Sequence, residues 1–184
     1  MSPFRSPYTT ESADLYIRNL QFRARDDFAT FRQLMRPNMI WNWWTEEVAR
    51  ELQRLYRDLT EGRRPKLALM APPQHGKTWT VWDFIAWIAG KHPDFKTIYA
   101  TYSDELGIAA NSDLQRTINS PTYAEIFPDT RIGVPGWQCN SNHVQYVGHA
   151  GSFRNTTVNG AINGFGLDLA VCGKTEKLSH CSVT

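Results

Sequence analysis

The residues best suited to chemistry lie in one octapeptide, Ala71-Pro72-Pro73-Gln74-His75-Gly76-Lys77-Thr78. It follows the P-loop pattern G-x-x-x-x-G-K-[ST] at Gly76, Lys77 and Thr78, with Ala71 where the pattern has its first glycine. Such a segment suits a polyphosphate. Phosphates concentrate negative charge, and the N–H groups at a helix N-terminus offer several donors with the helix dipole behind them. Gly76 lets the main chain come close, Lys77 brings a positive charge to the terminal phosphates, and the Thr78 hydroxyl can ligate Mg²⁺. The expected binding segment is Pro73, Gln74, His75, Gly76, Lys77, Thr78 and Trp79, with ATP and Mg²⁺ as cofactors. Within it His75 is read as a residue that shapes the turn.

Other chemistry-bearing residues have plainer explanations. Trp41, Trp43 and Trp44 could stack on bases, but a core or interface cluster is the preferred reading. Trp79, Trp82 and Trp87 follow the loop at positions where burial against a sheet accounts for them. Arg63, Arg64 and Lys66 form a small basic cluster, read as a solvated strand entry before any DNA or portal contact. His143, His149, His180 and the three cysteines lack metal-ligand spacing, and Cys172 with His180 and Cys181 makes a poor zinc set. Asp104 and Glu105 suit a helix dipole at a helix start.

The elements that must position the loop follow from the apolar pattern. Residues 1–13 read as a flexible arm, and residues 14–62 as a helical segment interrupted at Arg36-Pro37-Asn38 and stopped at Gly62. Lys66 to Ala71 reads as a buried strand, Lys77 to Ala89 as a helix ended by Gly90, and Lys96 to Tyr102 as a second buried strand. Ser103 is the expected N-cap of a helix to about Ile118, and Ser120-Pro121 opens a further helical turn. Val144–Val147, Phe153–Val158 and Leu167–Val171 are candidate strands. The predicted fold is α/β: a three-layer core with a parallel sheet, a helical N-terminal segment and a β-rich last third.

Composition limits the alternatives. The chain has 184 residues, 41% of them hydrophobic, and a formal net charge of +2. That excludes a disordered polyelectrolyte and leaves any nucleic-acid contact to a local patch. No apolar run approaches the ~20 residues of a bilayer span, and the start carries no signal-peptide pattern. A protein of a reducing compartment, neither secreted nor membrane-bound, is expected.

The string APPQHGKT resembles the P-loop of phage terminase large subunits, commonly written P-P-R-H-G-K-[ST]. Three further segments are similar to that family: Tyr99 to Leu106, Ser120 to Asp129, and Gly160 to Val171, the last resembling the approach to its Walker B strand. The likeness spans about residues 26–171. It implies a P-loop core over residues 63–171 and a motor that couples ATP hydrolysis to translocation of double-stranded DNA into a procapsid. It also implies a homo-oligomeric ring at the portal protein, a small terminase partner, and a place in the host cytoplasm, transiently at the procapsid portal.

Two departures qualify what the resemblance implies. Gln74 stands where the family has an arginine that stabilises the transition state; a neutral amide retains only the capacity to orient a water. The family's Walker B strand ends in two acidic residues, one for Mg²⁺ and one for the attacking water, whereas this chain has Gly173 and Lys174 there. Residues 172–184 do not match the family, and the nuclease domain the resemblance implies does not follow. An interruption of the reading frame after codon 171 would explain both. The chain is therefore expected to bind nucleotide through Lys77 and Thr78 and to hydrolyse it poorly. Two alternatives stand beside this expectation: a non-hydrolysing nucleotide-binding or assembly module, and an unstable truncated product.

Overall fold

A computed structural model describes residues 10–158, 160 and 166–173. The chain divides into two compact units, Met1–Leu67 and Ala68–Thr184.

The first unit is helical: α1 (Thr10–Asp26), α2 (Phe28–Met35) and α3 (Trp43–Thr60). The part before Arg36, read as a single helical pattern from Asp14 to Met35, is two helices, because Asp27 leaves the helical conformation and caps α2, its carboxylate accepting from the Thr30 N–H at 3.2 Å. α1 begins at Thr10, within the segment read as an arm. Asn42 caps α3 in a reciprocal capping box with Thr45. Gln53 of α3 reads the α1–α2 junction with both ends of its amide, accepting from the Phe28 N–H at 2.9 Å and donating to the Asp26 carbonyl at 3.1 Å. Phe28, Phe31, Val48 and Leu52 are buried, but Leu15 is exposed, so the apolar pattern of α1 does not all face inward. Arg32 is buried with its guanidinium 6.0 Å from the ring centres of both Phe28 and Trp41. The indole cluster expected at residues 41–44 is not a buried one: Trp43 lies exposed at the first turn of α3, edge-on to Trp44.

The second unit holds α4 (Lys77–Lys91), β1 (Lys96–Thr101), α5 (Asp104–Ile118), α6 (Pro121–Ile126), β2 (His143–Gln145), β3 (Ser152–Thr157) and β4 (Leu169–Cys172). It is an α/β unit with a four-stranded sheet in the order β2-β3-β1-β4. The sheet is mixed rather than parallel: β1 runs parallel to β3 and β4, but β2 joins β3 antiparallel through His143–Arg154, Val144–Phe153 and Gln145–Ser152. The short link from β2 to β3 explains this, since a parallel pair needs a crossover of a dozen or more residues. Central β1 is buried from Thr97 to Thr101. α5 packs on β1, β2 and β3. Gly107 lets it approach the Asn155 side chain, and the Asn111 and Asn155 amides meet at 2.9 Å in the interior.

One expected strand is missing. Residues 63–72 carry no regular structure, and Leu67 and Met70 are exposed. A strand exists through its partner's hydrogen bonds. Both sides of β1 are taken by β3 and β4, and no described strand pairs with residues 66–71. Gly90 does not end α4 but lies inside it, where an added Cβ would run into the Phe127 ring. The Tyr123 hydroxyl on α6 donates to the Ala86 carbonyl of α4 at 2.8 Å, and the Thr130 hydroxyl donates to the Ala89 carbonyl at 3.3 Å. Among the described residues no helix is long and apolar enough to cross a membrane. Lys174, His180 and Cys181, with the segment 161–165, lie outside the described residues.

Candidate phosphate-binding loop

α4 forms although Lys77 to Lys91 are rich in β-branched and aromatic residues of modest helix propensity, because its body is buried all round from Asp83 to Ala89. Its start is set by Gly76, the N-cap, at φ 70° and ψ 10°. This left-handed conformation is one that glycine adopts without a Cβ penalty. No side chain caps the helix. The intrahelical ladder opens with the Thr80 N–H on the Gly76 carbonyl at 2.9 Å, and the Thr80 hydroxyl donates to the same oxygen. The N–H groups of Gly76, Lys77 and Thr78 therefore have no acceptor within the helix.

The loop before this turn is also bent. Gln74 sits at φ 65°, unusual for a residue with a side chain. His75 Nδ1 lies 2.9 Å from the Pro73 carbonyl, a contact across the turn, as expected of a residue that shapes the backbone. Lys77 folds back over the loop: its ammonium donates to the Ala71 carbonyl and, at 2.6 Å, to the Pro72 carbonyl. Two of its three N–H bonds thus hold the loop closed on itself, and the cation stands at the mouth of the turn. Pro73, Gln74, His75 and Thr78 are exposed, so this surface is open to a ligand.

Trp79 is 43% exposed, unlike the buried Trp87, and meets Trp82 edge-on with ring centres 5.3 Å apart. Trp87 is buried, beside Phe84, as expected of this helix, and Trp79 is not. Helical spacing alone cannot separate the two, because the first turn overhangs the loop.

The strand end expected to carry acidic residues is formed but lacks them. β4 pairs with β1 from Leu169 to Cys172, and Asp168 pins its start by accepting from the Lys96 N–H at 2.8 Å. Next comes Gly173, where an added Cβ would stand 2.9 Å from the Tyr99 hydroxyl and 3.1 Å from the Thr101 methyl. Burial holds the Tyr99 hydroxyl above its ordinary pKa, so it stays protonated. Among the described residues no group of three or more His, Cys, Asp or Glu side chains is placed to hold a metal ion. The Thr78 hydroxyl is the oxygen of the loop's G-K-T end that could ligate Mg²⁺, with phosphate oxygens and water completing the shell.

The remaining candidates are accounted for elsewhere. Arg63 pairs with Asp58 and Glu61, so the basic cluster is partly neutralised at the end of α3. Asp104 and Glu105 occupy the first turn of α5, where Ser103 caps the Leu106 N–H. His143 faces the Gln138 amide and His149 the Asp94 carboxylate. Comparison with protein-family models, curated proteins and solved structures found no match to this chain.

Proposed function

We propose that residues 71–79 are a P-loop and that the chain is the ATP-binding part of a viral DNA-packaging motor of the terminase large-subunit type. The observation that carries the phosphate reading is Gly76 in the left-handed conformation at the N-terminus of α4, followed at once by Lys77 and Thr78. ATP would lie with its phosphates against the N–H groups of the first turn, its terminal phosphates drawn to the Lys77 ammonium. The loop would then open, because Lys77 must exchange the Ala71 and Pro72 carbonyls for phosphate oxygens. Bound Mg²⁺ would screen the phosphate charge beside the Thr78 hydroxyl. The finer architecture proposed is the three-layer P-loop core.

The motor assignment rests on the sequence resemblance. In that setting the chain belongs to a ring at the portal protein, acts on double-stranded DNA, works with a small terminase subunit and resides in the host cytoplasm. A second reading has a specific observation in its favour. Gly173 at the end of β4, tightly neighboured by Tyr99 and Thr101, supplies no carboxylate to activate water, so a nucleotide-binding module without turnover fits this chain as given.

Calorimetric titration of the protein with Mg-ATP tests the phosphate reading. Saturable binding is expected in the parent and its loss in Lys77→Ala, with the thermal melt nearly unchanged. Equal binding by parent and variant would exclude this loop as the phosphate site.

A further inference from the structure

We infer that the Trp79 indole is the stacking platform for the base of the bound nucleotide, making the site selective for purine nucleoside polyphosphates over polyphosphate as such. This rests on the phosphate-loop reading and adds to it the residue that selects the base. The first support is exposure. Trp82, Asp83 and Ala86 follow Trp79 at i+3, i+4 and i+7, the inward helical spacing; Asp83 and Ala86 are buried, yet Trp79 keeps 43% of its surface in solvent at the loop end. So large an apolar ring is ordinarily drawn inside.

The second support is restraint. Trp82 meets Trp79 edge-on at 5.3 Å and 69°, a ring contact that limits the freedom of the indole. A ring already held loses little freedom when a base stacks on it.

The third support is the direction in which a nucleotide must run. Its terminal phosphates carry the most charge and go to the Lys77 ammonium and Thr78. The nucleoside end, with the least charge, needs an uncharged neighbour beside those two residues, and Trp79, the next residue of α4, is the exposed aromatic side chain there. Stacking on an indole tolerates any base, and the larger face of a purine gains more from it.

Calorimetric titration with Mg-ATP, Mg-UTP and Mg-tripolyphosphate, on the parent, Trp79→Ala and Trp79→Phe, tests this. The parent should bind ATP about tenfold more tightly than tripolyphosphate, with UTP between. Trp79→Ala should lose that preference while keeping its tripolyphosphate affinity, and Trp79→Phe, which keeps a ring, should retain most of it. Equal parent affinity for ATP and tripolyphosphate overturns the inference and leaves the phosphate loop standing. So does a loss of both ligands in parallel in both variants. A folded parent that binds neither ligand overturns the phosphate reading and this inference together.

Discussion

At residues 71–79 the turn proposed to hold phosphate is formed and the strand expected before it is not; at residues 169–173 the strand is formed and the family's carboxylates are absent. Lys66 to Ala71 has the apolar composition of a buried strand yet pairs with no described strand, with Met70 exposed, while the loop after it is bent, capped by Gly76 and latched by Lys77. β4 is paired to β1 over its whole length and ends in Gly173, against Tyr99 and Thr101. On the reading proposed above, binding and turnover would separate physically in this chain. The groups proposed to hold phosphate, the first-turn N–H groups with the Lys77 and Thr78 side chains, are local to one turn, whereas groups that activate water must project from a strand end, and residues 169–173 carry no acid.

This contrast can be broken most directly at Lys77. Its replacement by alanine removes the only side-chain cation of residues 71–79, and nucleotide affinity should fall by at least about 100-fold, the order of 3 kcal/mol expected for a charge-assisted contact. Next in size is Gly90→Ala. Its Cβ would run into the Phe127 ring, so denaturant unfolding should show a loss of about 1–3 kcal/mol without a change in the affinity of the remaining folded protein. An affinity change matching the stability loss would mean that the loop depends on packing along all of α4.

Gly76→Ala should lower both stability and affinity. Space is open around Gly76, so the cost is conformational, about 1–2 kcal/mol at φ 70°. Calorimetry should show affinity down by about tenfold, because the turn relaxes away from the geometry that aims its N–H groups.

The smallest effect concerns pH. Burial, with help from Lys91, lowers the pKa of His92; burial and Arg154 do the same for His143. Below about pH 6.5 the unfolded chain then binds more protons than the folded one, so stability is present above that pH and is lost as pH falls through the lowered folded values. His92→Phe, which keeps a ring beside Phe95, should flatten the melting temperature between pH 7 and pH 5. An unchanged slope would remove His92 from this effect.

What could be read from sequence was what short range decides. The Ser103 and Ser120 caps, the start of α4 at the loop, the end of α3 near Gly62 and strands β1, β3 and β4 all follow from neighbouring residues. Partners decide the rest. Residues 66–71 have a strand's composition but no partner among the described strands, and β2 took its antiparallel direction from the length of the link to β3. The break at Asp27 was hidden because both sides keep helical spacing, and only the carboxylate's bond to Thr30 marks it. At the site, Gly76, Lys77 and Thr78 were legible as types and spacing. The latch of Lys77 on Ala71 and Pro72 was not, since it depends on the curvature that Gln74 and Gly76 give the loop.

One measurement addresses the separation of binding from turnover most directly: Mg-ATP calorimetry and phosphate release on the same sample, after a cooperative melt has shown the chain to be folded. Saturable binding with no phosphate release above the buffer background is the expected result. A folded chain that gives no binding heat, or one that releases phosphate in sustained turnover, would contradict it.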